Sequence, residues 1–449
     1  MNIPTISKSS FIRGTKCPKS LYLHFFQPEE QDEISESQQQ IFDMGHNVGF
    51  LAQQLFPGGI DTSRGAHEKV NEALSYTQEL INNGQKVIYE AAFSDGETLC
   101  YMDILVKENS EWRSYEVKAS TGVKDYHVMD VAFQYYVITR SGLPLTDIYM
   151  VHINNQYIRH GVIDVEQLFT KVFMTGTILP KQVDIPGQLK SLQEMLTSGL
   201  VPHVEMGYQC THPYNCDFIE FCRQGLPVEP GASESHPANR NQEALDEFKE
   251  ELGFPLFFMD FETIFPAIPI HDESRPYQQI PFQFSLHVQR SEHGPLEHYE
   301  FLGTPPVDPR YAFIEELLAR LGDSGSIIVW NQGFEMNRLR EIARDFPDYA
   351  LCIEPVLDRF ADLMVPFRRK HLYLPEMNGS YSLKAVLPAL VPELSYSELG
   401  IQEGGAASMA YEQLYHEEEL ETTSKIRRDL LEYCKMDTLA MVKILEEFN

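Results

Sequence analysis

The feature that most constrains this chain is a pair of β-rich runs that also carry charged residues. The runs LCYMDILV (99–106) and WRSYEVK (112–118) are separated by a short polar link. This pattern predicts two strands joined as a hairpin. Because side chains alternate faces along a strand, Glu116 and Lys118 point to one side, where Asp103 can join them. Two carboxylates suit a hard divalent cation such as Mg²⁺ or Mn²⁺, and an ammonium group can stabilise charge on a phosphate.

The order of these residues along the chain carries a family resemblance. Asp103 is followed by a Glu-x-Lys triplet at Glu116 and Lys118, and then by a predicted helix that contains Gln134. This arrangement resembles the PD-(D/E)xK nuclease superfamily, in its RecB-like branch. The resemblance implies a restriction-endonuclease-like α/β domain in which all four residues are catalytic and the two acids bind metal. His46, in an upstream Gly-His-x-x-Gly run, matches the place of an extra metal ligand in that branch.

The cysteines add a second signal. Seven occur, and Cys210, Cys216 and Cys222 lie within thirteen residues of one another. Together with Cys17, which precedes the nuclease-like core, they resemble the cysteines of iron–sulfur RecB-like nucleases, such as CRISPR-associated exonucleases and AddB-type subunits. The resemblance implies that the four thiolates hold a [4Fe–4S] cluster. The C-x5-C-x5-C spacing departs from the family's usual C-x2-C-x5-C, so zinc, with or without His212 as a ligand, stays open as the alternative.

A second acidic motif lies in the other half of the chain. The run LFFMDFET (256–263) predicts a buried strand that carries Asp260 and Glu262 two residues apart. Two acids on one strand face can bind two metal ions for phosphoryl chemistry. The pair resembles the first motif of the DEDD exonucleases, which implies an RNase H-like fold.

The remaining motifs of that exonuclease pattern follow in order. An Asn-x-x-Phe-Glu run resembles the second motif, with Glu335 in place of the usual aspartate. Tyr433-x-x-x-Asp437 matches the third motif of the tyrosine-bearing subtype, and this spacing puts both side chains on one helix face. The resemblance implies that Tyr433 positions the attacking water and that Asp437 binds metal. Glu335 and Asp362 are both candidates for the remaining metal ligand, and the residues leave the choice open.

A run rich in Pro, Gly and Ser (224–239) is the strongest candidate for a domain boundary. We therefore predict a RecB-like PD-(D/E)xK domain with a Cys-ligated cluster over residues 1–228, a linker over 229–250, and an RNase H-like DEDD exonuclease-type domain over 251–449. Both domains are expected to be α/β. Helices are also predicted over 125–140, which contains Gln134, and over about 310–321.

The composition of the chain limits the classes of function it can have. A net charge of −30 excludes a protein that coats nucleic acid nonspecifically. The sequence has no 18-residue apolar run and no signal-peptide pattern, which predicts a cytoplasmic protein with no membrane association. No Walker motif occurs, so a helicase or another repair or defence partner would be a separate protein.

The resemblances together imply a metal-dependent nuclease, of exonuclease type, that acts on nucleic acid. They favour DNA over RNA, although the residues themselves do not decide between the two. The alternative is a nucleic-acid-binding or partner-docking protein in which one or both nuclease sites are degenerate.

Overall fold

A computed structural model describes residues 4–63, 70–224 and 237–449. The chain divides into two compact units, residues 1–228 with 267–276, and residues 229–266 with 277–449. Both units mix helices and sheets, which confirms the α/β class. Residues 1–3, 64–69 and 225–236, which belong to the first predicted domain and the predicted linker, lie outside the described residues. Within that predicted linker, residues 242–250 form a helix.

The first unit is built on one mixed sheet. Its strands are β1 (Ile6–Ser7), β2 (Ile60–Asp61), β3 (Val87–Ser94), β4 (Thr98–Glu108), β5 (Glu111–Lys118), β6 (Leu145–Ile153) and β7 (Phe169–Phe173). Their order is β2-β3-β4-β5-β6-β7, and β1 pairs in parallel with the start of β4. The antiparallel pair β4–β5, with Ile104 opposite Tyr115, is the hairpin predicted from the two β-rich runs. It lies in the middle of the sheet.

Helices cover this sheet and bury its apolar face. They are α1 (Lys8–Lys16), α2 (Pro18–Phe26), α3 (Glu36–Ala52), α4 (Val70–Asn82), α5 (Asp125–Arg140), α6 (Val165–Leu168), α7 (Thr175–Ile178), α8 (Ile185–Ser198) and α9 (Ile219–Gln224). The bounds of α5 agree with the predicted helix, and α5 packs on β4 and β6 with Phe133 in the core. The side chain of Ser7 accepts the backbone N–H of Ser10 and so caps the start of α1. Cys17 ends α1, and Pro18 begins α2 at the position where a helix tolerates proline.

The second unit contains a five-stranded sheet and a separate two-stranded ladder. Its strands are β8 (Asn239–Arg240), β9 (Leu256–Ile264), β10 (Ile280–Gln289), β11 (Leu296–Leu302), β12 (Ser326–Val329), β13 (Phe360–Asp362) and β14 (Leu372–Tyr373). The larger sheet has the order β11-β10-β9-β12-β13, and β8 pairs with β14. Strand β9 is antiparallel to β10 and parallel to β12, which is itself parallel to β13. The central strand β9 is the one that carries Asp260 and Glu262.

The helices of the second unit bring the remaining motifs to this sheet. They are α10 (Gln242–Glu250), α11 (Arg310–Leu321), α12 (Gln332–Asp345), α13 (Ala350–Leu357), α14 (Val365–Arg368), α15 (Leu383–Leu390), α16 (Gly404–Gln413) and α17 (Leu420–Glu446). The bounds of α11 agree with the predicted helix. The 27-residue α17 packs across β9 and β10. Asn331, with φ +76°, makes the turn from β12 into α12, and asparagine is among the few non-glycine residues that adopt this conformation readily.

Within the described residues, no helix is both long and apolar enough to cross a membrane.

Candidate functional site

The first candidate centre is organised around the carboxylate of Glu116 on β5, which is 1% exposed. Nζ of Lys118 lies 2.8 Å from its Oε1, and Nε2 of Gln134 donates to its Oε2 at 2.5 Å. Asp103, on β4, accepts the backbone N–H of Val117 at 2.6 Å. The structure therefore brings Lys118 and Gln134 into contact with Glu116, and holds Asp103 beside them through the backbone of Val117.

Two further charged residues belong to this group, although the sequence analysis did not name them. Nζ of Lys8 lies 2.7 Å from Oε1 of Glu116, and Nζ of Lys118 lies 2.7 Å from Oδ2 of Asp130. Lys8 is 108 positions away from Glu116, and no spacing rule connects the two. Asp130 lies four residues before Gln134 on α5, so the i, i+4 spacing of a helix face could have identified it.

Burial and neighbouring charges set the protonation of these acids. Burial opposes ionisation of Glu116, but the ammonium groups of Lys118 and Lys8 hold its pKa below the ordinary value. Burial and the charge of Glu116 raise the pKa of Asp103 well above its ordinary value. On β3, burial and nearby carboxylates raise the pKa of Glu90 to about 7. Glu90 also has φ +53°, a strained conformation for a non-glycine residue within a strand.

The structure does not bring His46 to this centre. It lies in α3 with an exposed side chain. Although α3 packs against β5, the ligand atoms of His46, Asp103 and Glu116 do not all lie within 4.8 Å of one another.

The four cysteines predicted to hold a cluster line one cavity of about 20 Å³, namely Cys17, Cys210, Cys216 and Cys222. All four are free thiols of intermediate burial. The backbone N–H of Gly207 donates to Sγ of Cys210 at 3.5 Å, and the backbone N–H groups of Lys19 and Ser20 donate to Cys17. Hydrogen bonds of this kind to sulfur stabilise thiolates and tune iron–sulfur clusters. The cavity thus combines four sulfur ligands with donors aimed at two of them.

The spacing of the sulfur atoms bears on which metal the cavity suits. No three of the four lie within 4.8 Å of one another. Tetrahedral zinc, with Zn–S distances of about 2.3 Å, needs sulfur atoms only about 3.8 Å apart. His212, the alternative zinc ligand, is exposed and stacks on the ring of Tyr208. Burial raises the pKa of the Cys17 thiol, although the N–H groups that face it oppose this effect.

The second candidate centre lies at β9 in the second unit. Asp260, Glu262 and Cys434 each offer one ligand atom, and these three atoms lie within 4.8 Å of one another. It is the one such group that the structure shows among residues 4–63, 70–224 and 237–449. Sγ of Cys434 is 3.6 Å from Oδ2 of Asp260. The sequence analysis named both acids but not Cys434, which is the residue after Tyr433 on α17.

Glu335 and Asp362 have different surroundings in this centre. Glu335 is 1% exposed, and its Oε2 has no hydrogen-bond partner. Asp362 instead accepts two backbone N–H groups on Oδ1, from Asn331 at 3.2 Å and from Met364 at 3.0 Å. Burial and the charge of Asp260 raise the pKa of Glu335 well above its ordinary value. Asp362 therefore stabilises the adjoining turns, whereas Glu335 keeps a buried oxygen without a partner.

Asp437 completes the second centre from α17. Its Oδ1 accepts the hydroxyl of Tyr396 at 2.6 Å, and its carboxylate also accepts a hydrogen bond from Tyr433. Burial raises the pKa of Asp437 to about 6, although both tyrosines oppose the shift. Nζ of Lys384 lies 5.6 Å and 5.2 Å from the ring centres of Tyr396 and Tyr433. Tyr396 and Lys384 come from the segment between the second and third motifs, and no motif identified them.

Comparison with known proteins finds relatives of this chain, but their names state no activity. A family model described as "Domain of unknown function (DUF2779)" matches residues 257–382, a range that includes Asp260, Glu262, Glu335 and Asp362. The chain is 26% identical over 205 residues to the uncharacterized MG366 homolog of Mycoplasma pneumoniae, covering 42% of this chain and 31% of that protein. It is 28% identical over 206 residues to uncharacterized protein MG366 of Mycoplasma genitalium, with the same shares.

A third relative is uncharacterized protein UU173 of Ureaplasma parvum, 28% identical over 238 residues, which is 45% of this chain and 32% of that protein. The chain therefore covers about a third of the length of these curated relatives. None of these names states an activity, and neither they nor the family model identifies a nuclease family. The resemblance to RecB-like and DEDD nucleases rests on the residues and contacts described above.

Proposed function

We propose that this chain is a metal-dependent nuclease that hydrolyses phosphodiester bonds of nucleic acid, with DNA favoured over RNA. The observation that carries the proposal is a group of carboxylates around β9: the half-buried Asp260 and the buried Glu262, Glu335 and Asp437. Burial raises the pKa of each one, and repulsion between carboxylates adds to this effect for Asp260, Glu262 and Glu335. Like charges in a buried site cost free energy unless cations offset them, and a bound divalent ion does so most directly.

The residues at this centre fit the chemistry of phosphodiester hydrolysis. Mg²⁺ or Mn²⁺ would supply a Lewis acid and lower the pKa of a bound water. Asp260 and Glu262, two residues apart on β9, would hold such an ion. Glu335, whose Oε2 has no hydrogen-bond partner, is the candidate for a further ligand, although the ligand atoms of these three residues do not all lie within 4.8 Å of one another. The hydroxyl of Tyr433, next to Asp437, is placed to orient a water molecule for attack.

The topology of the second unit supports an RNase H-like fold. Three consecutive antiparallel strands are followed by two parallel strands on the other side of β9. The acidic pair lies on the central strand, and α17 brings the third motif across it. This is the arrangement that the DEDD resemblance implies.

The first unit supplies a second candidate centre, and its contacts support the PD-(D/E)xK interpretation. Asp103 and Glu116 are the predicted metal ligands. Lys118 forms ion pairs with both Glu116 and Asp130, and these hold its ammonium group next to the carboxylate of Glu116. Gln134 donates to Glu116 and to the carbonyl of Tyr101 on β4, so it fixes the direction of the carboxylate.

We further propose that the thiol cavity holds a [4Fe–4S] cluster. A cluster bound there would cross-link the start of the unit to residues nearly 200 positions later. The protein already joins these parts through a bidentate ion pair between Arg13 and Asp217, at 2.5 Å and 2.7 Å. Four thiolates from one cavity are the usual ligands of such a cluster, and the resemblance to iron–sulfur nucleases favours it over a single zinc ion.

Nuclease assays with one altered centre at a time test the proposal. End-labelled single- and double-stranded DNA and RNA are incubated with the purified chain and Mn²⁺ or Mg²⁺, with EDTA as the blank. We expect Asp260→Asn to remove one part of the activity and Lys118→Met another. Asp429→Asn, on the same helix as Asp437 but outside the centre, is the control and should leave cleavage unchanged. Metal-independent binding without cleavage would instead support a nucleic-acid-binding protein with degenerate sites.

A further inference from the structure

The first centre contains a second, half-buried ammonium group, that of Lys8, and its position is unusual. Lys8 is the first residue of α1, whose first turn contains no acidic residue. A lysine at a helix N-terminus is repelled by the positive end of the helix dipole, and this repulsion destabilises the helix. The parallel pairing of β1 with the start of β4 brings the following residue, Lys8, to the sheet that carries Asp103. The fold therefore places a cation at an unfavourable helix position and directs it to Glu116.

Both oxygens of Glu116 are occupied by donors. Oε1 receives Lys8 at 2.7 Å and Lys118 at 2.8 Å, and Oε2 receives Gln134 at 2.5 Å. Because a carboxylate oxygen has two lone pairs, a divalent cation that binds Oε1 has to take the place of one of the two lysines, whereas Oε2 keeps one lone pair. Two ammonium groups therefore close Oε1 of Glu116 to a metal ion unless one of them moves.

The two lysines differ in what they keep when a metal arrives. Lys118 retains its ion pair with Asp130 at 2.7 Å. The ion pair that the structure gives for Lys8 is the one to Glu116, and the side chain of Lys8 is 26% exposed. Displacing Lys8 thus breaks one contact, whereas displacing Lys118 breaks a bridge between β5 and α5.

We infer that Lys8 is a second active-site lysine that neutralises Glu116 in the metal-free protein and is the group that a divalent cation displaces. The displaced ammonium group stays beside the metal site, where it can contact a non-bridging oxygen of a substrate phosphodiester. This inference rests on the proposed function of the first centre and adds a role that its motif does not contain. Lys8 is then a competitor of the metal and a ligand of the substrate.

Mn²⁺ titrations of the full chain test this role without relying on catalysis. All proteins carry Asp260→Asn, so that binding reports on the first centre, and free Mn²⁺ is followed by electron paramagnetic resonance. We expect Lys8→Met to tighten Mn²⁺ binding by about tenfold or more, the equivalent of one charge-assisted hydrogen bond. Lys8→Arg should retain the competition. Lys171→Met is the matched control, since it removes a surface ion pair with Glu166 in the same unit and should leave the affinity unchanged.

A second readout, the rate of cleavage by the first centre, should move in the opposite direction. Lys8→Met should lower the rate at saturating Mn²⁺ by about a hundredfold, as expected for the loss of one group that stabilises charge in the transition state. Unchanged or weaker Mn²⁺ binding by a folded Lys8→Met chain would overturn the inference. In that case, Glu116→Gln shows how much has failed. If Glu116→Gln also leaves every Mn²⁺ site in place, the proposed function of this centre fails together with the role of Lys8. If it removes one Mn²⁺ site, the centre still binds metal and only the role of Lys8 is wrong.

Discussion

Removing the charge of Asp437 should stabilise the metal-free protein. Burial raises the pKa of this carboxyl to about 6, from an ordinary value of 3.8. The folded state therefore binds a proton more tightly than the unfolded state, and stability falls as the pH rises from about 4 to about 6. The difference of roughly two pKa units corresponds to about 3 kcal/mol. We expect Asp437→Asn in EDTA to gain up to about 3 kcal/mol at pH 8 and nothing below pH 4.

The assay is urea unfolding of the full chain at several pH values, followed by the fluorescence of Trp330. The chain has two tryptophans, and Trp112→Phe restricts the signal to the second unit. Asp429→Asn is the control on α17, because Asp429 pairs only loosely with Lys425 at 3.9 Å and should contribute less than about 1 kcal/mol. A less stable Asp437→Asn protein at pH 8, or a wild-type stability that does not change between pH 4 and 8, would refute the reasoning.

Three further predictions concern the other residues of these sites. Cys17→Ala should lower the iron and acid-labile sulfide content and the melting temperature of the first unit, whereas Cys352→Ala, at an exposed cysteine, should change neither. Gln134→Leu should destabilise the first unit by about 1–3 kcal/mol in urea unfolding, because Oε2 of Glu116 loses its donor, and an unchanged midpoint would contradict this contact. Glu335→Gln should abolish Mn²⁺-dependent cleavage at the second centre while Glu335→Asp retains it; a harmless Glu335→Gln together with an inactive Asp362→Asn would assign the metal ligand to Asp362 instead.

The elements that could be predicted from sequence are those with strong local patterns. The bounds of α5 and α11 agree with the predicted helices, and the β4–β5 hairpin with the alternation of apolar and charged residues. The same local rules place Asp260 beside Glu262, since residues two apart in a strand share a face. Helix α10 was not predicted, because its acidic sequence, QEALDEFKE, has the composition of an exposed linker and buries only Leu245.

The residues that were missed come from distant parts of the chain. Lys8 reaches Glu116 only because β1 pairs with β4, a long-range pairing that no spacing reveals. Tyr396 and Lys384 meet Asp437 through the packing of α15 and its following loop on α17. His46 shows the opposite case, since its motif predicted a ligand and its helix leaves the side chain exposed. Sequence motifs were therefore enough to find the acids, whereas the groups that contact them became visible only in the tertiary structure.

Cleavage by a chain that lacks both centres tests the central claim most directly. The purified wild-type chain and a Lys118→Met/Asp260→Asn double variant are stripped of metal with EDTA, returned to Mn²⁺, and given the same labelled DNA under single-turnover conditions. We expect the wild type to hydrolyse the DNA and the folded double variant to leave it intact. Equal cleavage by both proteins, or no cleavage of DNA or RNA by a folded, metal-loaded wild type, would contradict it.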